Sequence, residues 1–209
     1  MSNGTTVKKR NGRGVEPLNL EKIHVMCEEA CEGLAGVSAS QVEIQSGIQF
    51  YDGITTAEIQ EILIRSASDL IDLDHPNYQF VAARLLLFAL RKSLFGKMRE
   101  CPSVIDHVKK CVEKGVYDAE ILDLYSEEEY NKLQSFIDHS RDMIFTYAGL
   151  RQVVDKYLVQ DRSTGEVYET PQFMYMMISA TIFSKYPKET RLDYVRKYYE
   201  ACLLYTSDA

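Results

Sequence analysis

Three cations stand side by side near the front of the chain, Lys8, Lys9 and Arg10, in VKKRNGRGVEPLNLEKI (residues 7–23). A lone carboxylate, Glu16, follows across Asn11-Gly12. Clustered cations bind anions, and a polyphosphate is the anion that needs several donors converging from separate elements. Two other places supply them. Arg91 and Lys92 end a helical stripe, and Thr55-Thr56 open another, where hydroxyls and unpaired backbone N–H groups gather. Glu16 and Asn19 carry the groups to read a base and a ribose by hydrogen bonds. The structural alternative is a charged edge strand that discourages aggregation, and charge alone leaves both readings open. Alternation along a strand puts at most one of Lys9 and Arg10 on the face of Lys8.

Other chemistries find less support. No GxxxxGK[ST] phosphate loop occurs. Gly12-Arg13-Gly14 begins like a dinucleotide fingerprint, but Pro17 stands where the third glycine belongs. His24, Cys27 and Cys31 share a helix face at i, i+3 and i+7, yet the spacing is not a finger pattern and no fourth ligand is evident. Buried free thiols are the commoner outcome, and His107 with Cys111 reads the same way. The run Met174–Met177 suits core packing. Glu127, Glu128 and Glu129 follow a capping Ser126, where acids favour the helix dipole. No nucleophile–base pair stands out.

These candidates sit in a chain of 209 residues, long enough for one large or two small cores. Its net charge of −7 is unevenly spread: residues 1–14 carry four bases and no acid, and the remainder 20 bases against 31 acids. An acidic body argues against a nucleic-acid scaffold, and a small cationic patch suits a small polyanion. The longest apolar run, PQFMYMMISATIF, is too short to span a bilayer. Five cysteines, none in a CxxC pair, fit reduced thiols in the cytosol.

Val7–Arg10 and Val15–Leu18 flank Asn-Gly and predict a hairpin. Asn19 caps a helix whose stripe is Leu20, Ile23, Cys27, Ala30, Cys31 and Leu34. Ser38 with Gln41, and Thr55 with Glu58, spell capping boxes for two more. Asp74-His75-Pro76 opens a fourth, with Tyr78, Val81, Ala82, Leu85, Phe88 and Ala89 buried. A boundary falls at MRECPS (98–103). Beyond it the chain is helical except for YLVQDRSTGEVYE (157–169), read as a second hairpin around Thr164-Gly165.

VKKRNG followed by NLEKI, with DGITT and FALRK behind them, resembles the ATP-cone, a nucleotide-sensing regulatory domain. Downstream, FIDHSRDM, KYLVQ, TGEVYETPQF and YPKETRLDYV resemble the large subunit of class I ribonucleoside-diphosphate reductase. The resemblance runs from about Val7 to Ala201 and implies an α+β, mainly helical fold. Residues 5–95 would be the cone, a small sheet with a four-helix cluster. Residues 96–201 would be the helical domain that precedes the reductase barrel, and 202–209 a tail outside the family pattern. The resemblance implies ATP or dATP, with magnesium, as allosteric effector. Its nucleotide-binding positions fall on Lys9, on Glu16, Pro17, Leu18, Asn19, Leu20, Glu21 and Lys22, and on Thr56 and Lys92, with Arg10 and Ile23 against the ligand. Gln60 departs from a histidine common in relatives and cannot carry charge toward a phosphate.

The full enzyme would reduce ribonucleoside diphosphates to deoxyribonucleoside diphosphates in the cytoplasm. Its partners would be a radical-generating small subunit, a second large subunit, and thioredoxin or glutaredoxin. The catalytic cysteines lie beyond this chain, which is expected to bind effector and catalyse nothing, and CLLYTSDA reads as a foreign tail on a truncated frame. Two other classes are a transcriptional regulator sensing through a cone, which would carry a zinc ribbon with paired CxxC, and a helical interaction module.

Overall fold

The residues around Asn11-Gly12 pair as the alternation predicts. β1 (Thr6–Lys8) runs antiparallel to β2 (Val15–Pro17), with Val7 opposite Glu16. A two-residue strand, β3 (Ile54–Thr55), joins β1 in parallel on its other side, giving the order β2-β1-β3. Two residues are too few to show a period, so β3 was invisible in the sequence. Asp52 secures it by accepting the N–H and the hydroxyl of Thr6 at 2.8 and 2.7 Å. The computed structural model describes residues 5–9 and 14–207, with 203–207 by backbone alone. Two compact units result: residues 1–89 with Phe145–Arg151, and Leu90–Ile144 with residues 152–209.

In the first unit, α1 (Leu20–Cys31) begins where the Asn19 side chain accepts the Lys22 N–H at 3.0 Å. Ile23, Met26, Cys27 and Ala30 are buried, while Leu20, at the open first turn, is 64% exposed. α2 (Ala39–Gly47) starts after Ser38, but the expected Ser38–Gln41 box is absent. Tyr78 replaces it: its hydroxyl accepts the Ser38 N–H at 3.0 Å and donates to the Gln41 side chain. α3 (Thr56–Asp69) does carry its capping box, between Thr55 and Glu58, and buries Ile59, Leu63, Ile64 and Ala67.

α4 (Tyr78–Phe95) follows an Asp72 turn and buries Tyr78, Val81, Ala82, Leu85 and Phe88 of the expected stripe; Ala89 is only half-buried, and Ala83, Leu86, Leu87 and Leu90 are buried besides. Its Arg84 donates to the carbonyls of Ala30 and Glu32 at 3.2 and 2.6 Å, satisfying groups that the end of α1 leaves unpaired. α1 packs on α2 and α2 on α3. The division between the units falls within α4, after Ala89.

The second unit contains α5 (Val104–Glu113), α6 (Glu120–Leu124), α7 (Glu127–Phe136) and a 3₁₀ turn (His139–Ile144). α8 (Tyr147–Gln152) falls in the first unit up to Arg151, and the second unit resumes with a π-helical turn, Val153–Tyr157. α9 (Pro171–Phe183) is apolar on nearly every side, and α10 (Arg191–Ser207) packs on α9 and α7. Proline at the first position of α9 gives up no hydrogen bond there. Arg191 grips Glu129 of the α7 capping box through two bonds of 2.6 and 2.5 Å. The expected second hairpin shrinks to one antiparallel bridge, Gln160 to Val167. Two ladder donors are diverted to side chains: Glu169 accepts the Val159 N–H at 2.8 Å, and the Thr164 hydroxyl accepts the Glu166 N–H at 3.2 Å. Among the described residues no helix is long and apolar enough to cross a membrane.

Candidate functional site

The three leading cations do not act as one. Lys8 lies beside Gly53, where a Cβ would stand 3.7 Å from its side chain, and its charge helps hold Asp52 and Glu58 below the usual carboxylate range. Hydrogen bonds do most of that work, from Thr6 to Asp52 and from Thr55 to Glu58. Lys9 turns instead to β2 and meets Glu16 at 2.6 Å. That bond lowers the Glu16 pKa, helped by the charges of Lys9 and of Lys22 in the first turn of α1. Lys9, Glu16 and Lys22 therefore share one neighbourhood. Arg10 lies outside the described residues.

From Gly14 to Lys22 the chain forms an exposed lip, with only Leu18 half-buried. The Leu18 N–H donates to the Thr5 carbonyl at 2.8 Å, tying the lip to the sheet. Pro17 ends β2 opposite Thr6. The Asn19 side-chain oxygen serves as helix cap, and its residue is exposed. Leu20 and Glu21 are exposed and Ile23 is buried beneath them.

The first turn of α3 is less open than the sequence suggested. The Thr55 hydroxyl donates to Glu58 at 2.7 Å and accepts the Glu58 N–H at 3.1 Å. The Thr55 N–H donates to the same carboxylate at 2.8 Å, and the Tyr51 hydroxyl donates to its other oxygen at 2.8 Å. Glu58 thus already supplies the anion that this helix end attracts. Thr56, half-buried, is the hydroxyl of the pair not spent in that box. Gln60 is buried, at 5% exposure, one turn farther on.

At the end of α4 the two basic residues diverge. Lys92 is exposed on the last turn. Arg91, counted with it as a surface cation in the sequence, is buried, and its guanidinium donates to the His139 carbonyl and to Asp142. Nothing in the local pattern marked Arg91 as internal, because its partners lie some fifty residues away.

The sulfur and imidazole groups are engaged structurally. His24 meets Glu43 at 2.8 Å and Glu28 at 3.2 Å, and these acids raise its pKa. Burial pushes the Cys27 and Cys31 thiols up to about 12 and about 11. Among the described residues no group of three His, Cys, Asp or Glu is arranged to hold a metal ion.

Residues 5–93 match the ATP cone domain family, and residues 143–204 match the all-alpha domain of ribonucleotide reductase. The chain carries these two domains, and over nearly its whole length it is similar to the N-terminal region of ribonucleoside-diphosphate reductase alpha subunits. It is 53% identical over 201 residues to ribonucleoside-diphosphate reductase 1 subunit alpha of Salmonella typhimurium, covering 96% of this chain and 26% of that one. It is 52% identical over the same length to the Haemophilus influenzae alpha subunit, with the same coverage. To the alpha subunit of Enterobacteria phage T4 it is 47% identical over 168 residues, 79% of this chain and 22% of the relative. The chain thus spans about a quarter of the length of the curated relatives it matches. The ATP-cone match includes every residue of the lip and both ends of the cationic set, Lys9 and Lys92.

Proposed function

We propose that this chain is the effector-binding part of a ribonucleoside-diphosphate reductase large subunit, and that ATP or dATP, carried with magnesium, binds at the lip of the ATP-cone. The observation that supports this is the gathering of Lys9, Glu16 and Lys22 on an exposed segment within the cone match. Lys9 and Lys92 are the phosphate cations, acting as point charges. Arg10 is placed by resemblance alone. Asn19 and Glu16 read the nucleoside, with Pro17, Leu18, Leu20, Glu21 and Ile23 as the apolar and backbone surround and Thr56 as a hydroxyl partner. The donor set fits a nucleotide: Lys9 holds a carboxylate that a phosphate replaces, and Asn19 caps α1 through its oxygen with its side-chain amide as a further donor group.

In the whole subunit the cone occupies residues 5–95 and the helical domain follows. Reduction of ribonucleoside to deoxyribonucleoside diphosphates belongs to the rest of the relatives' length. That reaction takes a radical from the small subunit and electrons from thioredoxin or glutaredoxin, in a cytoplasmic assembly containing a large-subunit homodimer. Titration calorimetry with ATP and dATP tests the binding step. Both nucleotides should release heat, and the double variant Lys9→Ala/Lys92→Ala should abolish it. Undiminished binding by that variant would move the site elsewhere.

A further inference from the structure

Arg91 stands one residue before Lys92, and its surroundings are unlike those of a surface cation. Its residue is 6% exposed. The guanidinium donates to the His139 carbonyl at 2.5 Å and to Asp142 at 3.1 Å. Asp142 is enclosed, and its second oxygen accepts from the Gln172 amide at 2.9 Å. The Gln172 oxygen accepts the Tyr199 hydroxyl at 2.5 Å, and that hydroxyl accepts the Asp138 N–H at 3.1 Å. An unbroken polar chain therefore runs from the last turn of α4, through the 3₁₀ turn and α9, to α10. Arg91 belongs to the ATP-cone, and Gln172 and Tyr199 belong to the all-alpha domain.

Stability alone does not explain this arrangement. Desolvating two charges offsets most of their attraction, and apolar residues of similar volume hold helices together as well or better. Burial lifts the Asp142 carboxyl to about 6 even beside Arg91, which shows the cost being carried. What a buried chain of directed bonds supplies is one geometry, although the Arg91 Nε itself has no partner among the described residues. Apolar packing tolerates rotation and sliding, whereas four linked hydrogen bonds do not. Successive residues on a helix point about 100° apart, so fixing Arg91 also fixes the direction of Lys92.

We propose that Arg91 is a positioning residue: through Asp142, Gln172 and Tyr199 it locks the turn bearing Lys92 to the all-alpha domain, so that effector binding and the packing of the 3₁₀ turn are coupled. This rests on the nucleotide reading above. Coupling of this kind is reciprocal. Effector held by Lys92 steadies the 3₁₀ turn, and loosening the turn weakens the effector.

The experiment uses the full chain with MgATP. Hydrogen exchange by mass spectrometry follows residues 138–144 and 172–176 with and without nucleotide, and calorimetry gives the affinities of wild type, Asp142→Asn and Tyr199→Phe. Saturating ATP should slow exchange at 138–144. Asp142→Asn should weaken ATP about fivefold or more and remove that slowing, and Tyr199→Phe, which cuts only the far end, should do so in smaller measure. A wild type that binds ATP with no change at 138–144 overturns the coupling and leaves the nucleotide reading standing. Unchanged affinity in both variants overturns it equally. A wild type that binds neither nucleotide sinks both ideas. If Asp142→Asn does not fold, the wild-type exchange and Tyr199→Phe decide the matter.

Discussion

Acidification should attack the second unit through His107. Its residue is 1% exposed, stacked on Phe173 at 3.9 Å and 11°, with Tyr117 and Phe95 edge-on. Burial first, then the charges of Lys110 and His139, drive its pKa down to about 3. His139, whose ring nitrogens have no protein partner, is driven to about 4 by burial and by Arg91. Both folded values lie below the unfolded value near 6.5, so the unfolded chain takes up these protons first. The stability they represent is complete above that pH and is lost as pH falls below it. One pKa unit is about 1.4 kcal/mol, so at pH 5 each histidine costs about 2 kcal/mol.

Asp142 works in the opposite sense. Its folded value, about 6, exceeds the unfolded one, so the native form takes up its proton first and regains about 1 kcal/mol by pH 5. From these three groups the loss is about 3 kcal/mol, a large share of the roughly 5–15 kcal/mol that holds most domains together, and Glu169, whose carboxyl pKa burial also raises, offsets part of it as Asp142 does. Urea unfolding, followed by near-ultraviolet tyrosine dichroism at pH 7 and pH 5, measures it. His107→Phe keeps the ring stack and removes the titration, so about 2 kcal/mol of the acid loss should vanish. Equal losses in wild type and variant, or none in the wild type, would refute the reasoning.

Three further outcomes are expected. The His24 ring should titrate above its ordinary value by NMR, and Glu43→Gln should bring it back down; the bond it makes to α2 is therefore present in acid and lost as pH rises through that raised value. Thr55→Ala should cost about 1 kcal/mol in thermal unfolding, because it removes the cap of α3. Gly53→Ala should destabilise by roughly 1–2 kcal/mol, because its φ of +80° is a left-handed backbone beside the Lys8 stem, and calorimetric melting checks it.

Local pattern carried much of this molecule. A stripe at helical spacing named five of the buried residues of α4, and Thr55 with Glu58 named the start of α3, because caps and periodicity act within a few residues. The Asn-Gly strands and the Asn19 cap were equally readable, and long co-linear motifs pointed to the family, but the exposed lip was not: Leu20, read as part of a buried stripe, is open to solvent because it sits in the first turn of α1. What neighbours in sequence cannot show is which distant group claims a side chain. Tyr78 displaced the Ser38–Gln41 box, Glu169 took the donor that a second hairpin needed, and Glu58 closed the helix end that had looked open to an anion. Arg91 and Lys92 are the clearest pair. Identical in charge and adjacent in the chain, they differ because a helix turns successive side chains about 100° apart, and only the folded chain puts Asp142 where one of them points.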